Sequence, residues 1–169
     1  MATNPHITRP VPVEAQIRMS CAFTLRFVDL LNAMAQHVYA ERELDRTNIA
    51  DPAYHSRLDL TDTTSTRLYE VLAELTAMPA PDATTAPLRR MAVIVATLVR
   101  EGTAAAFRRY ADNRDDLAEF LVVPGDGPIE ARIRHMIAAA DKRIAAMAGL
   151  SCFIQDGAAL DAEPDLIAA

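Results

Sequence analysis

The longest pattern of apolar positions follows the first prolines of the chain. From Pro12 to Arg46, apolar residues recur at every third or fourth position, which predicts one long helix. Pro12 suits the first helical turn, and the Glu14 carboxylate complements the positive end of the helix dipole. Residues 1–11 are predicted to form an irregular N-terminal arm.

Two neighbouring stripes of this predicted helix carry apolar side chains. The first stripe, predicted to be the core face, comprises Ile17, Cys21, Thr24, Val28, Leu31, Ala35 and Val38. The second stripe comprises Phe23, Phe27, Leu30, Met34, His37, Glu41 and Leu44. A helix in a bundle normally buries about one third to one half of its circumference. The second stripe is therefore expected to need a further cover: a second copy of the chain, the C-terminal tail or a ligand.

The middle of the chain predicts two more helices, separated by the proline-rich break "MPAPDATTAP". Asp51 before Pro52 suits a cap for one short helical turn, and the Thr and Ser run after it suits the start of a helix over 62–78. The next helix is expected from Thr84 or Thr85 to Tyr110, with Gly102 inside it at a kink or close approach. The predicted apolar stripes of these two helices are Leu68, Val71, Leu72 and Leu75, and Met91, Val95 and Leu98.

The last third of the chain predicts a short helix, a long helix and a tail. The stretch "DNRDDLAEFLVV" is expected to turn Leu117, Phe120 and Leu121 inward, and "PGDGP" ends it as a turn. A final long helix follows over 128–148, with Gly149 as its stop. Its predicted packing residues are Ile129, Ile133, Met136, Ile137, Ala140, Ile144 and Met147. The sequence therefore predicts an all-α, single-domain bundle over 1–149, with about four main helices, a long central first helix and short connecting helices.

Residues 150–169 are predicted to form an acidic, amphipathic tail that docks near Phe153. Its last residues, "LIAA", resemble the small apolar C-termini that bacterial ATP-dependent proteases read as degradation signals. Lys142 is the only lysine among 17 basic residues, an arginine bias typical of a GC-rich genome. Both features favour a bacterial origin.

Composition and charge narrow the functional classes. Hydrophobic residues make up 51% and charged residues 24% of the 169 positions, as in ordinary globular domains. The net charge of -6 argues against nucleic-acid binding, which normally needs a basic excess. The absence of a signal-peptide pattern or a membrane-length apolar run predicts a cytoplasmic protein without membrane contact.

His37 and Glu41 are the sharpest candidates for chemistry, because their spacing places both on one helical face among apolar residues. A metal site normally needs three or four protein ligands, and His6, His55 and His135 do not supply them. Cys21 and Cys152 lie far apart in sequence and are expected to be free, buried thiols. We therefore expect a polar contact between His37 and Glu41, with no bound metal or cofactor.

Three functions remain open. The first is a homo-oligomeric helical interaction or regulatory protein that self-associates through one face of the first helix, as is common for small helical chains. The residues of this face are Phe23, Phe27, Leu30, Met34, His37 and Glu41. The second is a bundle that binds an apolar or amphipathic small molecule beside the first helix. The third is a metal-dependent enzyme that uses His37 and Glu41. The sequence favours a role without catalysis.

Overall fold

A computed structural model describes residues 13–79 and 82–154, with side chains described from Ala22 onward. Seven helices and no strand occur in these residues, which confirms the all-α prediction. The helices are α1 (Val13–Asp45), α2 (Tyr54–Ala77), α3 (Ala86–Glu101), α4 (Ala104–Asp112), α5 (Arg114–Phe120), α6 (Pro128–Met147) and α7 (Ser151–Ile154). The N-terminal arm over 1–11, the side chains of Ile17 and Cys21, and the tail beyond Ile154 lie outside the described residues.

Helix α1 is the centre of the described bundle, since α2, α3, α6 and α7 all contact it. It packs antiparallel to α2. Arg26 in the first half of α1 forms an ion pair with Glu74 near the end of α2, and Arg57 near the start of α2 lies 2.5 Å from the Glu43 carboxylate near the end of α1. None of the helices in these residues combines the length and apolarity that crossing a bilayer requires.

The structure buries the second stripe of α1 as part of the core, together with Leu31 and Val38 of the first stripe. Phe23, Phe27, Leu30 and Met34 of the second stripe are completely buried within the single chain. In the first stripe Ala35 is exposed, and Thr24 and Val28 are only half-buried. The expectation that the second stripe needs a cover beyond the bundle is therefore wrong for its large side chains, because the other helices close over them.

Helix α2 begins at Tyr54, earlier than the predicted start at residue 62. The threonine hydroxyls that were expected to cap a later helix instead donate to carbonyls of the preceding turn. Thr63 Oγ1 lies 2.8 Å from the backbone carbonyl oxygen of Asp59, and Thr64 Oγ1 lies 3.0 Å from that of Thr61. Such local hydroxyl bonds let threonine lie inside a helix, so the run does not mark a helix start.

Gly102 ends a helix instead of lying inside one. Its backbone is left-handed, with φ 62° and ψ 21°, and its N–H donates to the Leu98 carbonyl, so α3 stops at Glu101. Thr103 then begins α4 by accepting a hydrogen bond from the Ala106 N–H. The predicted continuous helix to Tyr110 is wrong because glycine adopts this helix-ending conformation readily.

The final long helix has the predicted start, Pro128, and ends at Met147. Ile133, Met136, Ala140, Ile144 and Met147 are buried as predicted, whereas Ile129 is exposed. Phe120 was also predicted to point inward, and it is 52% exposed. Arg90 covers its ring from outside at 4.8 Å, so a cation–π contact takes the place of core packing.

We expect Phe27→Ala to lower the free energy of unfolding by about 3–5 kcal/mol, because it removes a completely buried aromatic ring. Leu25→Ala on the same helix is the matched control, since Leu25 is 59% exposed and its loss should change stability by less than about 0.5 kcal/mol. Urea denaturation followed by circular dichroism measures both. Equal losses in the two variants would contradict the described orientation of α1.

Candidate functional site

His37 and Glu41 lie one turn apart on α1, at the polar end of the buried stripe. Both are almost completely buried, with 5% and 7% of their surfaces exposed. The distance from His37 Nε2 to Glu41 Oε1 is 3.9 Å, longer than a hydrogen bond. The other ring nitrogen, Nδ1, is buried and has no hydrogen-bond partner. A buried polar atom without a partner is unfavourable for folding, so the site contains an unsatisfied donor or acceptor.

Cys152 of α7 completes a cluster with these two residues. One ligand atom each from His37, Glu41 and Cys152 can be chosen so that all three lie within 4.8 Å of one another. The Cys152 thiol also forms a hydrogen bond with the Glu41 side chain. Cys152 is free, as predicted, but it is exposed, so the prediction of a buried thiol is wrong for this residue.

The packing of α7 brings Cys152 to this place. Leu150 just before α7 is completely buried, and Phe153 is 7% exposed. The Phe153 ring centroid lies 4.9 Å from that of Phe107 and 6.5 Å from that of His37. The predicted docking of the tail near Phe153 is thereby confirmed as far as Ile154. Two apolar anchors on either side of Cys152 hold its side chain against α1.

The charges around the cluster are negative. Burial raises the pKa of Glu41; the hydrogen bond with Cys152 opposes this, and the carboxylates of Asp45 and Asp62 raise it further. Partial burial of the thiol, together with the charges of Glu41 and Asp45, raises the pKa of Cys152 to about 12. A positive ion would relieve both the repulsion and the desolvation of these groups.

The imidazole of His37 is in the protonation state that a metal needs. Burial lowers its pKa, so the ring is neutral near pH 7 and a nitrogen lone pair is free to coordinate. Imidazole, carboxylate and thiolate are the three ligand types that zinc takes in proteins. Ligand atoms on one tetrahedral ion lie roughly 3.4 Å apart, so shifts of about 1–1.5 Å would close the cluster around an ion.

The other predicted site residues do not take part in this cluster. Phe23, Phe27, Leu30 and Met34 pack inside the core and have no exposed surface. A separate cleft of about 310 Å³ opens to solvent between α3, α4 and α5. Its lining is mostly apolar and includes Val93, Ile94, Leu98, Tyr110 and Leu117. Sequence reasoning missed both the cleft and Cys152.

Comparisons with known proteins add no functional assignment. No protein-family model, curated protein or solved structure matches this chain. An all-α bundle supports many unrelated functions, so the fold does not select one. The geometry and charge of the site are therefore the observations that bear on function.

We expect Glu41→Gln to stabilise the metal-free protein at pH 7. A carboxyl whose folded pKa is raised supports folding while it is protonated, and it loses that contribution as the pH rises through the folded pKa. The gain in melting temperature should therefore be largest near pH 7 and shrink towards pH 4. Differential scanning calorimetry across this range measures it.

Glu43→Gln, also on α1, is the control with the opposite sign. Its hydrogen bonds and ion pairs with Arg57 and Arg46 lower the Glu43 pKa, so the charged form supports folding. This variant should lower the melting temperature at pH 7. A loss of stability in Glu41→Gln at pH 7 would contradict the described electrostatics of the site.

Proposed function

We propose that this protein binds a divalent transition metal ion of the zinc class between α1 and α7, through His37, Glu41 and Cys152. The observation that carries the proposal is the convergence of three potential ligand atoms within 4.8 Å, from helices far apart in the sequence. The sequence-based expectation of no metal depended on a missing third ligand. Cys152 supplies a candidate for it.

The ligand set favours zinc over magnesium or calcium. Magnesium and calcium bind almost entirely through oxygen, whereas a thiolate and an imidazole suit zinc and other softer ions. The exposure of Cys152 leaves one side of the cluster open to solvent. A water molecule could therefore take a fourth position in a tetrahedral site.

The charges of Glu41, Asp45 and Asp62 support a cation in particular. A salt bridge within the cluster would not satisfy these groups, since the neutral imidazole offers Glu41 no positive charge. The third function open from sequence, a metal-dependent enzyme using His37 and Glu41, thus gains a ligand. The proposal covers the binding of the ion; catalysis would need a substrate site as well.

A second candidate is the interaction role favoured from sequence, now through a different surface. The apolar cleft between α3, α4 and α5 is open to solvent, and Val93 at its edge is 47% exposed. Self-association of this chain in the cytoplasm would cover such a surface with that of a second copy. An apolar small molecule is the alternative occupant. Either would leave the α1 core and the His37 cluster unchanged.

Zinc titration by isothermal calorimetry should show one site per chain in protein purified without a chelator and then stripped. Replacement of a direct ligand in His37→Ala or Cys152→Ser should weaken binding by more than about 100-fold. His135→Ala is the matched control, because His135 is exposed on α6 and outside the cluster. Unchanged affinity in both ligand variants would rule out the proposed site.

The zinc affinity should rise with pH. Cys152 has a pKa of about 12, so its proton must be displaced throughout the neutral range, whereas neutral His37 loses none. Displacement of one proton makes the apparent affinity rise about tenfold per pH unit. Competition with a chromophoric chelator at pH 6.5, 7.5 and 8.5 measures this slope. A constant affinity over these pH values would exclude the thiol as a ligand.

A further inference from the structure

The contact between α1 and α7 follows one line of side chains. His37, Glu41 and Asp45 occupy successive turns on one face of α1. His37 meets the ring of Phe153, Glu41 meets the thiol of Cys152, and Asp45 accepts a hydrogen bond from the Ser151 hydroxyl. Three consecutive residues of α7 therefore meet three consecutive turns of α1. We call this contact the α7 seam.

The seam holds a helix that has little stability of its own. Helix α7 has only four residues, about one turn, and an isolated helix of this length is not stable in water. Leu150 and Phe153 anchor it by burial, while its last residue, Ile154, is 53% exposed. The attachment of α7 therefore depends on a few contacts and is sensitive to any added interaction.

The middle of the seam is the contact between Glu41 and Cys152, two of the three candidate ligands. There the Cys152 thiol shares a hydrogen bond with a carboxyl that is buried and close to the charge of Asp45. A metal ion would replace the thiol proton with a divalent charge and would join α1 to α7 through direct bonds. Binding energy gained only when both helices are in place is also docking energy.

We propose that metal occupancy regulates the attachment of α7 to α1: the loaded site clamps α7 in place, and loss of the ion releases it. This inference rests on the proposed metal binding and adds a consequence to it. Release would withdraw Phe153 from the rings of His37 and Phe107 and expose apolar surface at the end of α1.

Thermodynamic linkage gives a test that does not alter any ligand. If zinc strengthens α7 docking by some factor, weakening the docking must lower zinc affinity through the same coupling. Phe153→Ala removes an anchor without removing a ligand atom, and we expect it to weaken zinc binding by about tenfold or more. Ile154→Ala is the matched control, because Ile154 lies on the same helix and is exposed; its affinity should not change.

Hydrogen exchange in the unaltered full chain gives the second readout, which holds even if Phe153→Ala fails to fold. The Phe153 N–H donates to the Leu150 carbonyl at 3.1 Å, so its exchange reports the attachment of α7. Adding zinc to saturation should slow this exchange by about tenfold or more. Amides of α3 that exchange through local opening should not change.

The outcomes separate the two proposals. Stoichiometric zinc binding with slower exchange at Phe153 supports both. Zinc binding through His37 and Cys152 with unchanged exchange would overturn the clamp and leave the metal site standing. No zinc binding in calorimetry would overturn the metal site and the clamp together.

Discussion

The burial of one stripe of α1 is the constraint on which the rest of the structure depends. Phe23, Phe27, Leu30 and Met34 have no exposed surface, so the neighbouring helices must surround this face. The same stripe continues into His37 and Glu41. Because a rigid helix carries all residues of a stripe to the same side, the packing of the aromatic part takes two polar groups into the interior. The candidate site is thus a direct result of core formation.

The polar groups of the site lower the stability of the fold. A buried carboxyl close to two other carboxylates, and a buried imidazole nitrogen without a partner, both make folding less favourable. Groups that reduce stability in this way are concentrated at functional sites, where a ligand satisfies them. The otherwise apolar core offsets this loss of stability. Leu150 and Phe153 belong to that core and cover the site from the C-terminal side.

Periodicity predicted the extent of α1 and α6 but not that the other helices would cover the second stripe of α1. Both stripes of α1 are apolar at the same spacing. How far each stripe is buried depends on where α2, α3 and α6 pack, and the sequence pattern of α1 alone does not specify this. The start of α2 was predicted too late because the run that contains Thr63 and Thr64 resembles a helix cap, and threonine can also lie inside a helix. Cys152 was beyond reach for another reason: it is far from His37 in sequence, and a helix of four residues shows no periodicity. His37 and Glu41 were found because they interrupt a long apolar pattern.

The helix break at Gly102 affects the surface on which α7 packs, although Gly102 is distant from it in sequence. By ending α3, it lets α4 follow a separate path, on which Phe107 meets Phe153 and the Tyr110 hydroxyl reaches Asp141 of α6 at 3.0 Å. Any other residue at position 102 would strain the left-handed backbone. A related chain that keeps the α7 seam should therefore also keep Gly102, although this glycine touches none of the seam residues. We expect Gly102 and the three candidate ligands to occur together in such chains.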